Sequence, residues 1–221
     1  MKLLTEAISK FLLGVLLVGL LIFIPAGTIN YFNGWLLMIL LFIPMFIAGL
    51  IMLIKNPNLL SIRLKAKEEE NDQKLVLKLS ALMFISGFVL SGLNYRFNWI
   101  TLPNYIIIIS SIIFIISYIM YGIVLYQNTY LSRKIEVLDN HKLIDRGLYK
   151  IVRHPMYTIT IFLFLSIPLI LNSLISFIIF LSYIPIINIR IKNEEKVLEK
   201  DLKGYKEYKN KVKYKLLPYI Y

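Results

Sequence analysis

The sequence contains no cysteine, and this absence removes several classes of chemistry. Disulfide scaffolds, iron–sulfur clusters, thiolate zinc sites and cysteine nucleophiles all require a residue that the chain lacks. Histidine is almost as scarce, since the chain has two, His141 and His154. Because these two fall in segments of different kinds, we expect no metal site.

Acidic residues are also few, 13 against 25 basic residues, which gives a net charge of +12. Such a charge alone would suggest nucleic acid as a partner. The basic residues, however, are confined to alternate connecting segments, and Arg96 is the single basic residue in the other set. The positive-inside rule therefore places both termini in the cytoplasm, and we expect membrane lipid rather than nucleic acid beside the Lys-rich tail.

Hydrophobic residues make up 58% of the chain and come in long blocks rather than in an amphipathic period. Blocks of about 18 or more apolar residues predict membrane-spanning helices. The last two blocks are short and meet at Asn172-Ser173, which predicts a tight helical hairpin. The expected fold is all-α, a polytopic membrane protein with five to six transmembrane helices, this hairpin and amphipathic cytoplasmic helices. The six blocks lie near 11–29, 35–54, 78–95, 104–127, 156–171 and 173–189.

We divide the chain into N-terminal transmembrane helices, 1–127, and a C-terminal region, 128–221, that carries the chemistry. In the first part, the connector "KNPNLLSIRLKAKEEENDQK" (55–74) has mixed charge, and we interpret it as a solvated, helix-prone link. In the second part, apolar residues recur at helical spacing over 190–211, which predicts amphipathic helices. Gly204 is the expected break between two helical pieces.

His154 lies where a polar loop meets an apolar block, in "YKIVRHPMYT". A histidine at this point can be a general base, a donor to a ligand or a structural cap, and taken alone it favours the cap. Pro155 suits the first turn of a helix, whose N–H groups and positive dipole end would face the cytoplasm. Arg153 and Tyr157 add hydrogen-bond donors, so the position suits a polar ligand at the membrane surface.

Arg190 and Glu194 are four residues apart on a helix that leaves the last apolar block, so their side chains share one face. Alone, such a pair is a surface ion pair worth about 0.3–0.5 kcal/mol. The hairpin returns position 190 to the side of the membrane that holds position 155. We therefore expect this pair to lie near the His154 loop.

Two stretches in order, "HKLIDRGLYKIVRHPMY" (141–157) and "RIKNEEKVLEKDLKGYKEYKNKVKYKLLP" (190–218), carry a resemblance to a known family. They resemble the isoprenylcysteine carboxyl methyltransferases and their relatives, the membrane phospholipid methyltransferases. The resemblance implies an S-adenosylmethionine-dependent methyltransferase that O-methylates the carboxylate of an isoprenylcysteine-like or other lipophilic acceptor. Phospholipid N-methylation and a non-catalytic protein that keeps the fold stay open as alternatives.

The resemblance also implies site residues. The cofactor, S-adenosylmethionine, would bind between the His154 loop and the C-terminal helices, and Arg190 falls on the arginine that binds the substrate carboxylate. Arg190 and Glu194 would thus form the catalytic pair. The interval from Glu194 to Tyr205 is one residue short of the family pattern, so a cofactor contact falls on Glu194 or Glu195. The other cofactor contacts fall on His141, Lys142, Leu143, Ile144, Tyr149, His154, Pro155, Met156 and Tyr157.

The nature of the acceptor decides whether a base is needed. A carboxylate has a reference pKa of about 4 and is ionised at neutral pH, so it can attack the methyl donor without one. An ammonium cannot attack, and for an amine acceptor Glu194 or His154 would be the candidate bases. In either case the lipid tail of a lipophilic or prenylated acceptor would lie between the membrane spans.

Overall fold

The computed structural model describes residues 2–65, 71–128, 130 and 143–219. Within these residues the chain forms nine α-helices and one short 3-10 turn, Gly147–Lys150. The helices are α1 (Lys2–Ala26), α2 (Phe32–Lys55), α3 (Pro57–Lys65), α4 (Asn71–Phe97), α5 (Asn104–Gln127), α6 (Pro155–Ile170), α7 (Leu174–Phe180), α8 (Tyr183–Asp201) and α9 (Tyr205–Lys211).

Five helical segments are long and apolar enough to cross a membrane: α1, α2, α4, α5, and α7 with α8 taken together as Leu174–Asp201. Helix α6 is apolar but has 16 residues, so it extends about 24 Å, less than the hydrocarbon core of about 30 Å. These helices confirm the predicted fold class of a polytopic, all-helical membrane protein. The predicted break at Gly204 is confirmed too, because Gly204 adopts φ +85° between α8 and α9.

The predicted hairpin turns at Asn172, which adopts a left-handed φ of +57°. Asparagine tolerates this conformation better than most residues. The next residue, Ser173, caps α7, because its hydroxyl accepts a hydrogen bond from the Ser176 N–H at 3.3 Å. The chain that follows the turn, α7 and the first part of α8, runs back along α6. It reaches the level of Pro155 near Arg190, which contacts Tyr157.

Helix α4 packs against α1 and also against α7 and α8, so it contacts both the N-terminal and the C-terminal helices. The approach to α7 is close. A Cβ atom at Gly87 would lie 2.2 Å from the ring of Phe180, which is fully buried. The Phe180 ring also meets Phe84 edge to face. Residues before and after position 128 thus share one hydrophobic core.

The connector at 55–74 is not simply a solvated link, and that interpretation was wrong for three of its residues. Leu59 and Leu60 in α3 are buried, and Gln73 at the start of α4 has no exposed surface. Arg63 of α3 also donates a hydrogen bond to the Tyr121 hydroxyl at 2.6 Å. The charges of this stretch hid the fact that α3 folds back against α1 and α2.

Candidate active site at the Pro155 end of the hairpin

Helix α6 begins at the histidine-proline pair. Pro155 occupies the first helical position, where its missing N–H costs no hydrogen bond. His154 is the N-cap residue, and its carbonyl accepts hydrogen bonds from the N–H groups of Tyr157 and Thr158 at 3.1 and 3.2 Å. The predicted helix start at Pro155 is therefore confirmed.

Residues 212–216, called the C-terminal strap below, run along this loop and hold it in place. The N–H groups of Arg153 and His154 donate to the carbonyls of Tyr214 and Lys215, both at 2.9 Å. The Thr158 hydroxyl donates to the carbonyl of Leu216 at 2.7 Å. The strap thus fixes the backbone from which His154 projects, a role that the tail's basic composition did not reveal.

Arg153 anchors the loop to both α8 and the strap. Its Nε donates to Glu195 Oε1 at 2.8 Å, and its Nη1 donates to the carbonyls of Val212 and Lys213 at 2.6 and 2.7 Å. The side chains of Arg153 and Glu195 are 4% and 6% exposed. We expected Arg153 to offer donors to a ligand, but these donors are committed to the protein itself.

Glu195 is surrounded by positive groups and donors. Besides Arg153, its Oε1 lies 3.2 Å from His154 Nε2, and its Oε2 lies 3.6 Å from Lys209 Nζ. Because an ionised carboxylate only accepts hydrogen bonds, Nε2 of His154 carries the proton. The other ring nitrogen, Nδ1, is 4.0 Å from Oε2 of Glu194. His154 therefore lies between the two glutamates, and it is itself buried.

Tyr157 links the two members of the predicted catalytic pair. Its hydroxyl donates to Glu194 Oε2 at 2.5 Å and accepts a hydrogen bond from Arg190 Nε at 3.0 Å. These contacts join the first turn of α6 to α8. The expectation that the hairpin brings Arg190 and Glu194 near the His154 loop is confirmed.

Three buried tyrosines lie in the 3-10 turn and in α9. The Tyr149 hydroxyl accepts from Asn128 Nδ2 at 3.2 Å, and the Tyr208 hydroxyl donates to the Tyr149 carbonyl at 2.6 Å. The Tyr205 hydroxyl is buried and has no hydrogen-bond partner among the described residues. Burial, followed by the negative charges of Glu195 and Glu194, raises the pKa of Tyr205 above its ordinary value.

The remaining predicted cofactor contacts are apolar and line the same region. Leu143 packs against the cluster formed by Leu202, Tyr205, Tyr208 and Val212. Ile144 and Met156 pack against Tyr149 and Val124. His141 and Lys142 lie outside the described residues, so the structure places seven predicted cofactor contacts of the loop and of α6, and both glutamates, around one end of the hairpin.

Ile189, the residue before Arg190, lines two open grooves. A polar groove of about 380 Å³ lies between α8 and α9, and an apolar groove of about 360 Å³ lies between α4 and α7–α8. The polar groove is lined by Ile189, Lys192, Asn193, Glu195, Lys196, Glu199 and Lys209. The apolar groove is lined by Leu79, Leu82, Met83, Ser86, Ile179, Ser182, Pro185, Ile186 and Ile189.

One residue at this site, Gln73 of α4, was not predicted from the sequence. Its Oε1 accepts a hydrogen bond from Arg190 Nη1 at 3.2 Å, although 117 residues separate the two. A neutral polar residue in a strongly charged connector is a weak signal, and no local pattern indicates that it is buried.

Gly147 shapes the turn that presents Tyr149, and its replacement by alanine is expected to destabilise the protein by about 1–2 kcal/mol. Gly147 has φ +61°, and an added Cβ would lie 2.6 Å from the amide of Gln127, which accepts from the Leu148 N–H. Thermal unfolding in detergent measures the effect. Gly122→Ala is the control, because nothing lies within 4 Å of a Cβ there; equal stability of the two variants would contradict the role of Gly147.

Comparison with known proteins gives one family. No curated protein matches the chain. The sequence model of the isoprenylcysteine carboxyl methyltransferase family matches residues 110–200, less than half of the chain, from within α5 to the end of α8. The match contains the His154 loop, the hairpin and both glutamates, but neither Gln73 nor the strap. Over residues 110–200 the chain is therefore similar to the isoprenylcysteine carboxyl methyltransferase family.

Proposed function

We propose that the protein is an integral-membrane, S-adenosylmethionine-dependent methyltransferase that O-methylates the carboxylate of a lipophilic, isoprenylcysteine-like acceptor. One observation carries the proposal. Tyr157 holds Arg190 and Glu194 together, and Ile189, the residue before Arg190, lines both an apolar groove between membrane helices and a groove among charged residues. A water-soluble methyl donor and a membrane-dissolved acceptor can meet at such a place.

The residues around α8 and α9 fit the cofactor. When bound, S-adenosylmethionine supplies an electrophilic methyl group on a positively charged sulfur. Glu194 is the better of the two glutamates for holding its polar or cationic groups, because Glu195 is already committed to Arg153, His154 and Lys209. The Glu194 side chain is 20% exposed, and its Oε1 has no hydrogen bond from a described residue.

The unpartnered hydroxyl of Tyr205 is a second group that a cofactor can satisfy. A buried polar group without a partner costs free energy, which a ligand that bonds to it recovers. Leu143 packs against the same tyrosine cluster and, with Tyr149, would supply the apolar wall. We therefore assign Leu143, Ile144, Tyr149, His154, Pro155, Met156, Tyr157 and Glu194 to the cofactor site and Glu195 to its support, and His141 and Lys142 stay predicted contacts.

Arg190 is assigned the acceptor carboxylate. Its half-buried guanidinium is held by Tyr157 and Gln73, so it is oriented before a substrate arrives. Arg190 would bind the acceptor carboxylate as its anion, so no proton would have to be removed before the cofactor supplied its methyl group. The same positive charge disfavours an ammonium group at this position, which argues against phospholipid N-methylation. The acceptor's tail would lie in the apolar groove.

The proposed site faces the cytoplasm. The basic connecting segments, the strap and the site all belong to the side of the membrane that the positive-inside rule assigns to the cytoplasm. S-adenosylmethionine is a charged, water-soluble molecule, and this orientation would give it access without crossing the bilayer.

A screen of acceptors tests the proposed function. Purified protein in detergent is incubated with S-adenosylmethionine labelled in its methyl group and with either a farnesylcysteine analogue, the same analogue with its carboxylate converted to an amide, or phosphatidylethanolamine. We expect label to be transferred to the free carboxylate alone. Transfer to phosphatidylethanolamine would support the amine reaction instead, and transfer to no acceptor would favour the non-catalytic alternative.

Replacing Glu194 by glutamine is expected to weaken S-adenosylmethionine binding by roughly tenfold or more, because one charge-assisted contact is lost. Isothermal titration of the purified protein measures the dissociation constant. Glu207→Gln removes the same charge from an exposed position on α9 and is the matched control. Equal affinities for the wild type and Glu194→Gln would remove Glu194 from the cofactor site.

A further inference from the structure

Gln73 is a fully buried side chain whose hydrogen bonding is half complete. It has no exposed surface, and its Oε1 accepts from Arg190 Nη1 at 3.2 Å. Its Nε2 is also buried, and it finds no acceptor among the residues that the structure describes. A buried amide N–H without a partner costs free energy, so this group calls for an explanation.

The orientation of the amide follows from chemistry. A guanidinium only donates hydrogen bonds, so the amide atom that faces Arg190 must be the oxygen. The nitrogen, bonded to the same carbon, is then the free donor, and it lies beside the guanidinium. Together the two side chains present the positive charge of Arg190 and the N–H group of Gln73, which has no acceptor within the described chain.

This pair matches one chemical class of ligand, an anion with two oxygens held close together. A carboxylate can accept from the guanidinium with one oxygen and from the Gln73 amide with the other. An ammonium group would instead face the positive charge of Arg190 and the N–H donor of Gln73. The position also fits a lipid-linked anion, because α4 carries Gln73 at its cytoplasmic end and lines the apolar groove from Leu79 onward.

We propose that Gln73 is the second hydrogen-bond donor of the acceptor site and that, with Arg190, it selects a carboxylate at the end of a lipid tail. The inference rests on the proposed function and adds to it a residue from α4, which lies outside the family match at 110–200. Part of the acceptor specificity would thus come from the N-terminal helices.

Two variants of Gln73 test whether its side chain donates a hydrogen bond to the acceptor or only fills space. Gln73→Met keeps the length of the side chain and removes the amide, and Gln73→Glu keeps the oxygen that holds Arg190 but replaces the donor by a negative charge. For the farnesylcysteine analogue we expect kcat/KM to fall roughly tenfold in Gln73→Met and roughly 100-fold in Gln73→Glu, mainly through KM. Lys74→Met, at an exposed neighbouring position of α4, is the control and should behave as the wild type.

Titration with S-adenosylmethionine on the same samples shows that each variant is folded, and we expect its affinity to be unchanged. If Gln73→Glu transferred methyl groups as well as the wild type, the donor role would be overturned while the proposed function stood. If the wild type methylated no carboxylate acceptor, the proposed function itself would fail. Should Gln73→Met not fold, Gln73→Glu alone decides, since it preserves shape and the contact with Arg190.

Discussion

Replacing Glu195 by alanine is expected to destabilise the protein by about 3–5 kcal/mol, because it leaves Arg153 buried without its partner. Both side chains are nearly inaccessible to water, at 4% and 6% exposure, so solvent screening weakens the ion pair only slightly. His154 would lose its carboxylate partner at the same time. The loss of stability should appear as a large fall in the thermal unfolding temperature of the protein in detergent.

The neighbouring glutamate provides the matched control. Glu194→Ala removes the same carboxylate one residue earlier, but among the described residues Glu194 accepts a hydrogen bond from the Tyr157 hydroxyl alone, and it is more exposed. We expect Glu194→Ala to lose roughly 1 kcal/mol of stability and to bind S-adenosylmethionine poorly. We therefore expect Glu195→Ala to lose mainly stability and Glu194→Ala to lose mainly S-adenosylmethionine binding.

A double replacement tests whether the buried charge causes the instability. When both charges of a buried ion pair are replaced by apolar residues of similar size, stability is often restored. The Arg153→Met, Glu195→Leu protein should recover part of the loss seen in Glu195→Ala, but not all, because the strap carbonyls of Val212 and Lys213 lose their donor. Wild-type stability in Glu195→Ala would contradict the anchoring role.

The second large effect is expected on catalysis. Replacing Arg190 by leucine should lower kcat/KM for a carboxylate acceptor roughly 100-fold, since removal of one partner of a buried charge contact costs about 2–5 kcal/mol. S-adenosylmethionine affinity should be retained, because the cofactor is assigned to Glu194. Steady-state methyl transfer and isothermal titration separate the two quantities.

Arg190→Lys shows whether geometry matters as well as charge. Lysine keeps the positive charge but lacks the planar fork that contacts Tyr157 and Gln73 with separate nitrogens. We expect it to recover only part of the activity. Lys200→Leu, at an exposed position of α8 that lines neither groove, should leave methyl transfer unchanged. Full activity in Arg190→Leu would refute the assignment of Arg190.

The sequence predicted the parts of the site that the membrane and helix periodicity determine. Two apolar arms of similar length joined at Asn172-Ser173 must return the chain to the same surface, which brings Arg190 near Pro155. The four-residue spacing placed Arg190 and Glu194 on one face, and both now meet the Tyr157 hydroxyl. These inferences needed only the length of each element and the helical repeat.

The division of labour between adjacent glutamates could not be predicted in this way. Glu194 and Glu195 have the same chemistry and differ by about 100° around the helix, and their partners lie about 40 residues away in the chain. Which one enters the protein interior depends on how α8 is rotated against α6 and the strap. The role of Gln73 could not be predicted for a similar reason, since its contact with Arg190 exists only after α4 packs against α8.

Titration of the wild-type protein in lipid nanodiscs with S-adenosylmethionine tests directly whether the proposed site binds the methyl donor. The site between the His154 loop, α8 and α9 should bind one molecule per chain, and S-adenosylhomocysteine, which lacks the methyl group, should compete for it. Glu207→Gln should bind as the wild type does, and Glu194→Gln should bind more weakly. Absence of saturable binding to the folded wild-type protein would contradict the assignment of a methyl-donor site to this end of the hairpin.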